Sequence, residues 1–162
     1  MGYEPRLAVS TDTEIVPVRS KTVILTDAQI KALPTTAIEL VAAPGASKFI
    51  FLQSALIVSN CQAGTYISGD FAGGSLGFSV VNSVSFSLLE GDLESLLTDT
   101  SQLGTVWFQG NHATAKVAAP KAMGDTVNQP LTLVAGNGSG NYTGGNAANT
   151  LKVTVLYVIM DV

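Results

Sequence analysis

Apolar and polar residues alternate along this chain in blocks of strand length. The last block is the clearest. From Thr150 to Asp161, Leu151, Val153, Val155, Tyr157 and Ile159 fall on one face of an extended chain, because successive side chains of a strand point to opposite sides. The other face begins polar at Lys152 and Thr154 and turns apolar at Leu156, Val158 and Met160. A second long block, Lys48 to Ser59, sets Ile50, Leu52, Leu56 and Val58 on one side and Phe49, Phe51 and Ile57 on the other. A strand apolar on both sides requires cover on both sides. In a chain of this size, another subunit is the expected source of the second cover.

Shorter blocks complete the pattern. Thr22–Leu25 is a β-branched run, and Thr36 to Ala42 sets Ile38 and Leu40 opposite Glu39 and Val41, before a turn at Pro44-Gly45. Gly104–Gln109, carrying Trp107 and Phe108, and Pro130–Ala135 also read as strands. Two segments depart from period two. Thr26-Asp27-Ala28-Gln29 matches a capping box, followed by Ile30 and Leu33 at helical spacing and stopped by Pro34, so one or two helical turns are expected there. Ser87-Leu88-Leu89-Glu90 matches a second box, with Leu93, Leu96 and Leu97 behind it, predicting a short helix that ends near Asp99.

Three stretches lack either period. Residues 1–19 contain Pro5 and Pro17, which disfavour helix and central strand alike, and read as an extended N-terminal arm. Residues 61–77 are glycine-rich and punctuated by Tyr66 and Phe71, so short strands and turns are expected. Residues 136–149 form a Gly/Asn/Ser loop. Several strands parted by Gly/Pro turns, with one or two short helices, predict an all-β fold. It would be an antiparallel β-sandwich or barrel occupying residues 20–162 as one domain behind the arm.

Composition sharpens the expectation of cover by other subunits. Hydrophobic residues make up 46% of the 162 and charged residues only 12%, about half the usual charged share. A small domain with so few charges leaves apolar surface for neighbours to cover. The net charge of −4 and only eight Lys and Arg, scattered rather than striped, argue against nucleic acid as a partner. No apolar run approaches the ~20 residues of a membrane span. Residues 1–6 show no basic segment leading into an apolar one, so no signal peptide is expected. The single cysteine, Cys61, excludes an intrachain disulfide framework, which suits synthesis in a reducing cytoplasm.

Catalytic chemistry finds few residues to work with. His112 is the only histidine, and neither a zinc site nor an oriented general base can be assembled from one His and one Cys. Cys61 reads as a buried, inert thiol, with nothing near it in sequence to lower its pKa. Glu90, Asp92 and Glu94 read as an acidic first turn of the second helix rather than a calcium loop or an acid/base pair. Gly136-Asn137-Gly138-Ser139-Gly140 lacks the following helix and the lysine that a phosphate-binding loop needs. No catalytic residue, cofactor or metal ligand is therefore assigned. Trp107 and Phe108 are expected in the core, and Tyr142, in a polar loop, is the candidate surface contact.

Two stretches resemble small virion proteins of tailed bacteriophages. One runs from Thr36 through Leu40-Val41-Ala42-Ala43-Pro44-Gly45 to Lys48-Phe49-Ile50, a strand and turn leading into a long apolar strand. The other is the ending: Pro130–Leu133, then Asn141-Tyr142-Thr143-Gly144-Gly145-Asn146, then Thr150 to Val162, which is similar to the family's TGG-(D/N)…TLKV-V-Y-V-D tail. The middle of the chain shows no such likeness. The resemblance implies a jelly-roll-like sandwich that assembles on the capsid surface of the virion as a decoration or cement protein. It implies a homotrimer, with the major capsid protein as partner. A tail, baseplate or head-fibre module that binds a host receptor or glycan is the alternative. The surfaces expected to meet other subunits are Tyr3 and Pro5 of the arm, Phe49, Phe51 and Ile57 of the first long strand, and Leu156, Val158 and Met160 of the last.

Overall fold

The computed structural model of the chain describes residues 16–67, 75–80, 84–88, 95–98, 104–109, 127–136 and 140–162. The described elements are β1 (Arg19–Thr26), α1 (Asp27–Ala32), β2 (Ile38–Val41), β3 (Lys48–Asn60), β4 (Ser75–Val80), β5 (Val84–Leu88), β6 (Gly104–Gln109), β7 (Leu131–Gly136) and β8 (Thr150–Asp161), with further helix at 95–98 between β5 and β6. They form two four-stranded sheets, ordered β1-β8-β3-β6 and β2-β7-β4-β5. Every pairing is antiparallel. The fold is all-β, and the inward faces of the two sheets share one core. Leu25, Ile50, Leu52, Ala55, Ile57, Leu151, Val153 and Val155 come from the first sheet, and Leu40, Leu76, Phe78, Leu131 and Leu133 from the second.

β8 lies between β1 and β3, and its alternation runs as the sequence predicts: Leu151, Val153, Val155 and Tyr157 are buried. β3 does not keep one phase. Leu52 pairs with Tyr157 and Ser54 with Leu156, so Gln53 is an extra residue, a β-bulge. Ile50 and Leu52 point inward before it, and Ala55, Ile57 and Ser59 after it. One inserted residue exchanges the two faces of everything beyond it. The uninterrupted alternation read from the sequence therefore assigned the second half of β3 to the wrong sides. Ile57, expected at a subunit interface, is 0% exposed inside the chain's own core, while Leu56 and Val58 are only half-buried.

The first capping box forms as expected. The Thr26 hydroxyl accepts from the Gln29 amide and the Gln29 side chain accepts from the Thr26 amide, at 3.5 and 3.0 Å. Ile30 and Leu33 are buried, and Pro34 follows the last helical hydrogen bond. The second box does not cap a helix. Ser87 and Leu88 belong to β5, opposite Gly77 and Leu76 of β4, because cross-strand pairing outweighs a four-residue local signal. The short helix expected to end near Asp99 is present at 95–98, with Leu96 and Leu97 buried, and the stretch 89–94 before it lies outside the described residues. The strands expected at Gly104–Gln109 and near Pro130–Ala135 are β6 and β7.

Candidate functional site

The two ends of the β1-β8-β3 sheet differ in chemistry. At one end β1 runs into α1, opposite Thr150 of β8 and, across it, Asn60 of β3. Asp27 in the first turn of α1 suits the positive end of the helix, and Lys31 one turn later meets its Oδ2 at 2.7 Å. The Tyr66 hydroxyl donates to Asp27 Oδ1 at 2.9 Å. Both carboxylate oxygens are thereby engaged, so this carboxylate is a strut rather than a free base.

The segment from 140 to 149 is drawn onto the same junction. Tyr142 N–H donates to Lys31 O at 3.0 Å, Ile67 N–H to Thr143 O at 3.1 Å, and Gly145 N–H to Thr65 O at 2.7 Å. The buried Asn149 side chain donates to Gly64 O at 2.7 Å, and Thr35 Oγ1 bonds Asn141 Oδ1 at 2.7 Å. Gly144 and Gly145 adopt φ of 79° and 69°, the left-handed region that side chains other than glycine disfavour. A Cβ on Gly145 would sit 2.5 Å from Asp27 Oδ1 and 2.6 Å from the Tyr66 ring. Thr143-Gly144-Gly145 is thus a docking element. Tyr142, the candidate surface contact, is corrected by this geometry: it is 3% exposed and belongs to the core. A loop tied to a helix and to 64–67 carries its aromatic ring inward.

Two groups here, the Tyr66 phenol and the Cys61 thiol, are held neutral. Burial, reinforced by the hydrogen bond to Asp27, pushes the Tyr66 phenol above its usual range, with Asn149 opposing. Burial and then the Asp27 charge push the Cys61 thiol up to about 11. A thiol that keeps its proton at neutral pH is a poor nucleophile and a poor metal ligand. Among the described residues, no three His, Cys, Asp or Glu side chains are grouped to hold a metal ion. Nor is any described helix long and apolar enough to cross a membrane. His112, Glu90, Asp92 and Glu94 lie outside the described residues, as do Tyr3 and Pro5.

The opposite end is apolar and open. Phe49 pairs with Met160 and Phe51 with Val158. Phe51 is 50% and Met160 38% exposed, and Phe49 and Leu156 are half-buried. Val158 stands on the same outward side by register, yet it is buried, so it is corrected from contact residue to support. Lys48 and Asp161 form an exposed ion pair at this end, 2.5 Å apart. Further along the same outward face, Leu56 and Val58 are half-buried and Ile24 is exposed, with Lys152 between Ile24 and Val58 by register. Four residues of the predicted contact set, Phe49, Phe51, Leu156 and Met160, are therefore brought together on one outward surface.

The polar junction was missed by sequence reasoning. Its usable signal was Thr143-Gly144-Gly145, since adjacent glycines beside an aromatic mark a close backbone approach. Compared with known proteins, the chain matches no family model, no curated protein and no solved structure.

Proposed function

We propose that this chain is a capsid decoration, or cement, protein of a tailed bacteriophage. It is a non-enzymatic subunit that works as a homotrimer and bridges subunits of the major capsid protein on the head surface. The observation that carries the reading is the outward face where Phe49, Phe51, Leu156 and Met160 meet, with the Lys48–Asp161 ion pair beside them. Clustered, exposed apolar groups on a small domain favour burial against a partner. A chain with 12% charged residues has few means of solvating such a face.

The virion resemblance supplies the kind of partner. The segments that carry it form β2 and the start of β3, then β7, the 140–149 segment and β8. The jelly-roll reading is supported by the strand order, in which β8 enters between β1 and β3 and β7 between β2 and β4, as a doubly wound eight-stranded sandwich requires. The glycan-binding alternative loses its motivating side chain, because Tyr142 is buried.

The test is reconstitution. Heads assembled without the protein are mixed with the purified chain and heated, with DNA release as the readout. Bound protein should raise the release temperature, and Phe51→Glu should weaken both binding and protection. Failure to bind heads, with release unchanged, would overturn the proposal.

A further inference from the structure

The outer strands of the two sheets are unequal. β1 and β6 flank the first sheet, β2 and β5 the second. β2, β5 and β6 have four, five and six residues, and a register shift between Glu39 and Val41 breaks the line of β2. β1 is the longest at eight residues, and it pairs with β8 without a break from Arg19 opposite Tyr157 to Thr26 opposite Thr150. Among the described residues, no strand pairs with its other side. A long, straight outer strand offers free N–H and C=O groups to any extended chain, the β1 of a second copy included.

The side chains of β1 oppose that pairing. Residues directly opposite each other in an antiparallel pair share one side of the sheet. Arg19, Lys21, Val23 and Leu25 stand opposite Tyr157, Val155, Val153 and Leu151, all four of which are buried in the core. Leu25 is buried and Val23 packs against the core, whereas Lys21 and Arg19 are exposed. Strand length explains the difference. β2, which touches β1 across the sandwich, is half as long, a shortfall of about 13 Å. Half of β1 therefore turns cations toward the side where core residues belong. Its other side, Ser20, Thr22, Ile24 and Thr26, carries no charge, the reverse of what solvation of a sandwich strand requires. Among the described residues, neither cation has a carboxylate partner.

We infer that Arg19 and Lys21 block strand addition, closing the β1 edge to the β1 of a second copy and leaving the sheet faces for association. Two β1 strands paired antiparallel about a two-fold axis normal to the sheet would keep the same side inward. Four cations would then meet on that side, each set against a neighbouring strand and partly stripped of water. Inward-pointing charge is one of the ways in which a strand edge is protected. The inference goes beyond the proposed function and does not depend on the identity of the particle.

The test uses the full-length chain carrying Phe51→Glu, so that the apolar face contributes little to association. Arg19→Val/Lys21→Val in this background is compared with Phe51→Glu alone by sedimentation equilibrium, with circular dichroism confirming the native spectrum. Removing the two cations should strengthen dimerisation at least about tenfold. In the dimer, the amides of residues 19–26 should exchange with solvent more slowly. Arg19→Glu/Lys21→Glu, which keeps charge on the inward side, should gain no dimer. Lys152→Val, which removes a cation from the outward side of β8, should gain none either. Unchanged association in the valine variant would overturn the inference. So would a dimer whose β1 amides exchange as before, or an equal gain from Lys152→Val or from the glutamate pair. None of these outcomes touches the decoration reading, which stands or falls on the protection of heads.

Discussion

The two ends of the β1-β8-β3 sheet have opposite designs. At the α1 end, Asp27 ties a helix to Tyr66, and the glycine pair at 144–145 lets a loop approach close enough to cover them. At the Phe51 end, apolar side chains stand outward and the Lys48–Asp161 ion pair is exposed. Buried polar groups need all their partners within the chain, which makes the first end intolerant of change. The second end has little to lose within the monomer. In the proposed function its contribution comes from a partner, so folding and assembly should be separable by mutation.

The largest expected effect on stability is at the closed end. Gly145→Ala adds a Cβ against Asp27 and Tyr66 at a left-handed backbone position and should cost about 4 kcal/mol, lowering Tm by about 10 °C in thermal unfolding. Ile57→Ala, in the bulge-shifted half of β3, should cost about 3 kcal/mol in urea unfolding, against about 1 kcal/mol for its half-buried neighbour Leu56→Ala. Equal costs would mean that the bulge does not set the faces. Tyr66→Phe removes one donor from Asp27 and should cost about 1.5 kcal/mol.

A smaller effect appears on the alkaline side. The Cys61 thiol is pushed from 9.0 to about 11 in the folded chain. The unfolded chain loses this proton first, so the associated stability is complete below pH 9.0 and declines as pH rises toward 11. Cys61→Ala should flatten that part of the stability–pH curve, and native protein should react with a thiol reagent only on unfolding. Smallest of all, Phe51→Glu should change monomer stability by less than about 0.5 kcal/mol, as expected for a half-exposed site, while impairing self-association. A large loss of stability in that variant would erase the distinction between the two ends.

Much of this was legible in residue order. Thr150 to Asp161 announces β8 because one face is continuously apolar, and Thr26–Gln29 announces α1 because a capping box satisfies its own amides. Phe49, Phe51 and Met160 could be picked out as an outward-facing apolar group because they fall on one face of their strands by period two. Ile57 could not be placed, since the alternation of β3 breaks at Gln53 and nothing local marks that residue as the extra one. Ser87 misled for a related reason: a capping pattern carries little energy beside a strand partner such as Gly77.

Local order and composition determined that the chain is all-β, where its long strands run, and that its surface is poor in charge, because alternation and charge content are properties of neighbouring residues or of sums over them. Only the tertiary structure decided which half of β3 faces inward, that Tyr142 is buried rather than presented, and that Asp27, Tyr66 and Gly145 form one junction. Each of these depends on residues far apart in the chain, and on a pairing register that a single inserted residue can reverse.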